Sequence, residues 1–244
     1  MRASPICLAC PVPAAAGSPD PPELPSELAT LDAAAIEPEG SLLEVELSGE
    51  SCSGLEARDV SIKASRLAQV DLSGAVLERL WLSHCELSGC NLANLDAKAA
   101  RVQRTRISDS RMTGIAFAEA TLSDVTFSAC RIDLAAFGFA KLERVTFEDC
   151  LLAQSDFLET TLEHVRFHDC DLTGADFRGA RLQACELRRS NLSGVERVSS
   201  LRGASLEWPY IVELAGVWAA ELGIGVLDQD DPEGQTASQG GAER

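Results

Sequence analysis

The middle of the chain reads FAEATLSDVTFSACRIDLAA (117–136), FGFAKLERVTFEDCLLAQSD (137–156) and FLETTLEHVRFHDCDLTGAD (157–176). Phenylalanine stands at the first and eleventh positions of every row, and Leu or Ile stands at the sixth and sixteenth. A large apolar residue therefore recurs every five residues from Phe117 to Leu182, and a small residue precedes nearly all of them by two positions. A repeat this regular decides the architecture before any local preference is considered.

The same five-residue frame extends beyond this stretch, from Leu42 to Leu192. Of its thirty-one central positions, twenty-seven are Leu, Phe, Ile or Met. The flanking positions are polar in the best-formed repeats, and glycine often stands two residues after the central one, as in Ala175–Gly179. Glycine readily adopts the backbone conformations that turns require. The pattern therefore predicts short repeats that each contain a turn.

A period of five fits neither regular element. Five residues of α-helix advance by about 500°, so successive repeats would spread around the helix axis. In a straight strand, an odd period would send successive repeats to opposite faces. All the central residues can face one interior only if the chain turns once per repeat. The sequence therefore predicts an all-β solenoid in which each unit contacts its neighbours.

The repeats also resemble a known family. Val70–Gly74 (VDLSG), Ala175–Gly179 (ADFRG) and Ser190–Gly194 (SNLSG) are similar to the pentapeptide-repeat pattern, which is roughly A(D/N)LxG. The resemblance implies a right-handed quadrilateral β-helix with four repeats per coil, and hence about eight coils here. The frame has no insertion, so the chain resembles loop-free members of the family, such as actinobacterial members that interact with DNA gyrase.

A four-sided coil sorts the core residues into columns. Residues ten apart lie half a coil apart, so we expect Phe on two opposite sides and Leu or Ile on the other two. The expected core contains Phe117, Phe137, Phe157 and Phe177 in one column, Phe127, Phe147 and Phe167 in the facing column, and Leu122, Leu142, Leu162, Leu182, Cys130, Cys150 and Cys170 elsewhere. We expect the cysteines to be reduced, packed thiols of a cytoplasmic protein.

The two ends of the chain differ in composition from the repeat. Residues 1–38 are rich in Pro, Ala and Ser, and we expect them to be disordered or extended, with a short helix over 25–35 as an alternative. The solenoid is expected over residues 39–206. Residues 228–244 form an acidic tail that is expected to be disordered.

Residues 207–227 are expected to form a helical cap. Pro209 suits the first turn of a helix, and Gly223 suits its end. Between them, apolar residues follow at helical spacing: Ile211, Leu214, Trp218 and Leu222. This helix would cover the open end of the solenoid. The alternative is a homodimer interface, and one helix could do both.

The sequence offers no constellation typical of an enzyme. Cys7 and Cys10 form a CxxC pair without the further ligands that structural zinc requires. His84, His164 and His168 occupy outward positions with no outward cysteine beside them. No phosphate-binding loop or catalytic motif occurs. We therefore expect no catalytic residue, no cofactor and no metal.

A binding function is left, and the family resemblance suggests a partner. It implies a DNA-mimic-like protein that binds gyrase or topoisomerase and modulates it or protects it from quinolone-type antibiotics. Such a protein would bind neither nucleic acid nor a membrane itself. Charge argues against mimicry, because residues 41–195 carry only −6 of the net charge of −17 and include an outward arginine cluster. Duplex DNA carries one negative charge per ~1.7 Å.

The alternative function is a rod that binds some other protein partner. Four large apolar residues take outward positions on two neighbouring sides: Leu134, Phe139, Leu151 and Leu158. Contiguous exposed apolar patches mark partner sites, although single exposed apolar residues are common. We expect these four residues to form a patch. The sequence specifies neither the partner nor the oligomeric state.

Overall fold

The computed structural model describes residues 17–32, 35–195 and 198–225, and it shows a parallel β-solenoid of about nine turns. Strands of successive coils pair in parallel with a shift of twenty residues, so that Arg101 lies beside Thr121 and Thr121 beside Lys141. Four five-residue repeats therefore close one coil. The predicted fold class is confirmed.

The strands are short except where two repeats join into one strand. They are β1 Ala29–Thr30, β2 Ser41–Leu43, β3 Val45–Ser48, β4 Glu56–Arg58, β5 Ser61–Lys63, β6 Arg66–Ala68, β7 Val76–Glu78, β8 Trp81–Ser83, β9 Glu86–Ser88, β10 Arg101–Ser108, β11 Thr121–Ser128, β12 Lys141–Glu148, β13 Thr161–Glu163, β14 Arg166–His168, β15 Arg181–Gln183, β16 Cys185–Arg188 and β17 Ala204–Leu206. A 3-10 helix, Val198–Leu201, and two α-helices, α1 Trp208–Glu213 and α2 Ala215–Glu221, complete the chain.

The coil has four sides, which we number in chain order by their central residues. Leu122 lies on the first side, Phe127 on the second, Ile132 on the third and Phe137 on the fourth. Most strands lie on the first two sides, and β10, β11 and β12 each continue around the corner between these sides. The third and fourth sides are mostly turns that single bridges connect from coil to coil. The two halves of the perimeter therefore differ in backbone structure.

Every corner uses the left-handed backbone conformation. In residues 41–195, all thirty-one residues that follow a central residue by two positions have φ between +44° and +77°. Only eight of them are glycine. The other residues accept this conformation because most corner amides donate to a carbonyl of the next coil, as Glu119 does to Gly138 at 3.0 Å. The turns predicted from the glycines are thus a property of every repeat.

The predicted phenylalanine columns are present in the core. Phe137 and Phe157 stack with ring centroids 5.0 Å apart, as do Phe147 and Phe167, and rings of the two columns meet edge to face at 6.0–6.4 Å. Some hydroxyls in the small inward positions donate to carbonyls of the preceding coil, as Thr160 does to Phe137 at 2.7 Å, and others donate within their own coil, as Ser110 does to Ser108. Aromatic stacking and satisfied hydroxyls therefore hold successive coils together.

The cysteines of the solenoid are buried and free, as the sequence predicts: Cys52, Cys85, Cys90, Cys130, Cys150, Cys170 and Cys185. Their thiols donate to backbone carbonyls, for example from Cys130 to Ile107 at 3.5 Å. Burial raises the pKa of Cys85 to about 11, so this thiol stays protonated and unreactive at neutral pH. Cys7 and Cys10 lie outside the described residues.

The N-terminal segment departs from the expectation. Residues 17–28 follow an extended path along the solenoid, and β1 pairs with β3, whereas disorder or a helix over 25–35 was expected. The edge of the first coil offers unpaired backbone groups, and pairing with it favours a strand over an isolated helical turn. With β17 at the other end, β1 extends the expected eight coils to about nine turns. The part of this segment before Gly17 lies outside the described residues.

The C-terminal cap is present as two short helices that meet at Leu214. Leu214 is buried in the core, and Trp218 packs against the core at half burial. Ile211 is half-buried, whereas Leu222 is exposed. Glu221 also accepts the backbone N–H of Ser199 at 2.9 Å, which ties α2 to the 3-10 helix. The acidic tail 228–244 lies outside the described residues.

Candidate docking surfaces

Ion pairs between successive coils neutralise much of the outer surface. Arg66 pairs with Glu86 at 3.2 Å, and Arg189 pairs with Asp169 at 2.6 Å. Further pairs of this kind are Arg58–Glu78, Arg79–Asp59, Lys98–Glu119 and Arg144–Asp124. Charges of opposite sign therefore alternate along the rod. The described surface lacks the continuous negative charge of duplex DNA.

An uncharged strip interrupts this pattern on the fourth side. We call it the docking strip, and it consists of Ala116, Ala118, Ala136 and Gly138 with Leu134 and Phe139 at its edges. Leu134 is the corner residue between the third and fourth sides, and Phe139 is the next corner residue of the same coil. Both side chains are more than half exposed, at 56% and 58%. Two large apolar groups thus flank a floor of small residues.

The structure places the other two predicted patch residues differently. Leu158 lies on the fourth side in the next coil, beside Gly138, and is half-buried. Leu151 begins the third side, where it bridges Arg131 and Asp171 of the adjacent coils. It is therefore separated from Phe139 by most of two sides. Leu158 extends the docking strip, and Leu151 lies apart from it.

A second candidate surface lies at the corner between the first and second sides. Residues 17–28, which we call the strap, run along this corner and cover a column of residues spaced twenty apart: His84, Arg104, Asp124, Arg144 and His164. In the sequence, His84 and Arg104 are outward residues with no evident relation to each other. Their common column becomes visible in the sequence once the coil length of twenty is known.

The described residues offer no candidate metal site. No group of three or more His, Cys, Asp or Glu side chains in the described residues could hold a metal ion. His84 Nδ1 accepts a backbone N–H, and His168 lies 3.7 Å from Glu186. An open cleft of about 380 Å³ lies beside Phe177, but the charged side chains that line it, Asp176 and Arg178, pair with each other.

The C-terminal cap also exposes apolar side chains. Four of them are exposed by 57–75%: Trp208, Val212, Leu222 and Ile224. Leu214 and Trp218 cover the core, and these four side chains are uncovered in the described chain. No described helix is long and apolar enough to cross a membrane.

Comparison with known families agrees with this architecture. The family described as "Pentapeptide repeat region" matches residues 80–157 and 134–196, and the family "Pentapeptide repeats (8 copies)" matches residues 58–94. The matches together span residues 58–196, which is more than half of the chain. The chain therefore belongs to the pentapeptide repeat family, as the sequence predicts.

Solved structures with similar folds are pentapeptide repeat proteins of low identity. QnrB1, a plasmid-mediated fluoroquinolone resistance protein, is 19% identical over 76% of this chain and 100% of its own, with a TM-score of 0.37. HetL from Nostoc sp. strain PCC 7120, involved in heterocyst differentiation regulation, is 19% identical over 68% of this chain and 89% of its own, with a TM-score of 0.24. No curated protein sequence matched the chain.

Proposed function

We propose that this chain is a non-enzymatic binding protein that docks a protein partner on the docking strip. The observation that carries the proposal is the pair Leu134 and Phe139, which are exposed and have left-handed backbone with φ of +59° and +60°. The left-handed conformation costs a non-glycine residue about 1–2 kcal/mol. Every other non-glycine corner residue of the solenoid is polar, charged or alanine.

The hydrogen-bond ladder between coils offsets this backbone cost at every corner, including Leu134 and Phe139, but it makes no use of these two exposed apolar side chains. An exposed Phe or Leu gains little from burial, and glycine or asparagine at the same corners would form the same backbone ladder with less strain. Strained residues tend to occur where the side chain is used. Two aligned apolar side chains beside a flat floor are suited to insertion into pockets of a partner, as anchor residues do.

The surroundings of the docking strip define the kind of partner. Glu159 occupies the corner directly after Phe139 in the next coil, and Asp156 lies on the adjacent coil of the fourth side, whereas Glu119 at the preceding corner is paired with Lys98. Acidic residues on one edge of the apolar anchors favour a partner with apolar pockets and basic surroundings. A DNA-binding enzyme has a basic surface, and this supports DNA gyrase as the specific partner, together with the family resemblance.

Glycine substitution separates binding from folding at this site. The variant Leu134→Gly/Phe139→Gly relieves the corner strain, so we expect unchanged or higher stability together with lost binding. The control is Leu43→Ser, which removes a similarly exposed apolar residue from the first side. Gyrase supercoiling, with and without a quinolone, is measured at micromolar protein. Wild type and the control should alter supercoiling or drug sensitivity, and the glycine variant should not.

Two separate questions are tested: whether gyrase is the partner, and whether the docking strip is the surface that binds a partner. If wild type leaves gyrase unchanged, gyrase is not the partner. A photo-crosslinking residue at position 139, with one at position 43 as control, then tests the alternative scaffold function in cells. Equal crosslinking at both positions would contradict the docking strip. A homodimer through the exposed apolar residues of the C-terminal cap stays a prediction, and light scattering of the purified chain measures the oligomeric state.

A further inference from the structure

The strap is held by a small set of directional contacts. The Glu23 N–H donates to His84 Nδ1 at 3.2 Å, and the Asp20 N–H donates to Asp124 Oδ1 at 3.2 Å. Arg104 lies 3.5 Å from the Asp20 carboxylate. Near the start of the strap, Arg166 donates to the Ser18 hydroxyl at 3.1 Å. The solenoid thus binds backbone amides with two acceptors and a carboxylate with a cation.

The burial of the strap has a period of three. Pro19, Pro22, Pro25 and Leu28 are half-buried, and the residues between them are exposed except for Leu24, which is also half-buried. A polyproline II helix has three residues per turn, so one edge of such a helix faces the solenoid. Four prolines in the strap favour this conformation before docking, which lowers the conformational entropy lost on binding. The strap is therefore a preformed extended ligand.

The spacing of the solenoid matches the spacing of the strap. The two bonded amides, of Asp20 and Glu23, are three residues apart, which corresponds to about 9.3 Å along a polyproline II helix. Their acceptors, on Asp124 and His84, lie two coils apart, which corresponds to about 9.6 Å at the usual strand spacing. One turn of the polyproline II helix therefore has nearly the same length as two coils of the solenoid. Successive turns of such a segment can bind successive acceptors of the corner column.

One of the two acceptors, Asp124, is held in position by the solenoid itself. Arg144 donates to both oxygens of Asp124 at 2.7 and 2.8 Å, and Asp124 is only 4% exposed. The Arg144 guanidinium holds the pKa of Asp124 below its ordinary value, and the Asp20 N–H contributes further. Arg104 Nε is buried without a hydrogen-bond partner in the described structure. A buried donor of this kind favours an acidic ligand at this corner of the solenoid.

We propose that the corner between the first and second sides is a binding groove for acidic, proline-containing extended segments, and that residues 17–28 occupy it as an intramolecular ligand. The strap contacts are few and mostly exposed, so each contributes little. The state in which the strap occupies the groove is favoured mainly by the high effective concentration of a tethered segment. An added segment of the same chemistry competes with the strap. This groove is on a different part of the coil from the docking strip.

A labelled peptide tests the groove in the full chain. The peptide has the sequence of residues 17–28, GSPDPPELPSEL, and its binding is measured by fluorescence anisotropy. In Asp20→Lys, the chain's own strap presents a like charge to Arg104, so the groove is open more often. Apparent affinity rises with the fraction of open groove. We expect the peptide to bind this variant at least about tenfold more tightly than wild type.

Two further variants complete the test. Glu27→Lys makes the same charge change at an exposed strap residue, and its affinity for the peptide should equal that of wild type. Asp20→Lys/Arg104→Glu restores an attractive pair within the chain and repels the acidic peptide, so tight binding should be lost. Circular dichroism verifies that each variant is folded. Equal affinity of wild type and Asp20→Lys, or no binding to either, would overturn the proposal.

Discussion

The N-terminal coils (41–115) and the C-terminal coils (116–195) have the same backbone structure, but the side chains that fill their cores differ. In the C-terminal coils, stacked Phe rings fill the interior at spacings of 4.8–5.7 Å. In the N-terminal coils, Leu, Ile and Ala take the corresponding positions, and the core contains an apolar cavity of about 20 Å³. The repeat therefore specifies the coil, and the fit of the core is adjusted separately.

Exchange of large and small residues keeps the N-terminal coils nearly filled. Where the central residue of the fourth side is Ala57 or Ala97, the residue two positions earlier is Leu55 or Leu95. In the phenylalanine coils, the same inward positions hold small residues such as Ala135. Cores tolerate such exchanges when total volume is conserved. The small cavity marks where this exchange is incomplete.

The largest expected effect comes from truncating the second-side column. Phe147→Ala removes two stacks and one edge-to-face contact, and should lower the free energy of unfolding by about 3–5 kcal/mol. Leu87→Ala, in the same column beside the existing cavity, should cost less, near 2 kcal/mol. Urea unfolding with segment-resolved hydrogen exchange measures both. Equal losses would show that the two cores pack equally well.

Substitutions that enlarge a core residue compare how much added volume the two cores tolerate. Ile132→Phe adds volume to a fully buried position among the stacked rings and should cost about 1–3 kcal/mol. Leu87→Phe adds volume beside the cavity, so its cost should stay below about 1 kcal/mol. Thermal unfolding of the pair provides the measurement. A larger loss for Leu87→Phe than for Ile132→Phe would contradict the difference in filling.

The smallest expected effect concerns two matched Asp–Arg pairs. Asp124, buried under the strap, pairs with Arg144, and Asp59, exposed on the fourth side, pairs with Arg79. Hydrogen bonds from the arginine lower the pKa of each aspartate. Asp124→Asn should cost about 1 kcal/mol at pH 7, and Asp59→Asn should cost less because solvent screens the exposed pair.

Acid should remove the contribution of Asp124. A carboxyl whose pKa is lowered by folding stabilises the folded state above its unfolded pKa, about 3.9, and this stabilisation is lost as the pH falls through the folded pKa. The stability of wild type and of Asp124→Asn should therefore converge below about pH 4. Unfolding curves at a series of pH values give the difference. A difference that is constant down to pH 2 would contradict the assignment.

The core could be predicted from the sequence, and most of the outer surface could not. The period of five predicts that Phe147 and Cys150 face the interior, because the same pattern of inward positions recurs in every repeat. The left-handed backbone of Leu134 and Phe139 has no local signal, since neither residue favours it and the ladder between coils imposes it. Only after the coil length is fixed can these residues be recognised as corners.

The strap was missed for a different reason. Its period of three is carried by Pro19, Pro22 and Pro25, and prolines of this spacing also occur in disordered segments. What orders the segment is a column of acceptors that are twenty residues apart in the sequence. The C-terminal cap was recognised by its helical spacing, but the break at Leu214 depends on how that residue enters the core.

The strap also orders events during folding. Contacts between coils join residues about twenty apart, so the solenoid can nucleate at any coil and grow by adding neighbours. The contact between Ser18 and Arg166 joins residues 148 apart. This contact cannot form until the coil that contains Arg166 is in place, although the contacts with His84 and Asp124 need only earlier coils. The strap can therefore reach its complete set of contacts only after most of the solenoid has formed.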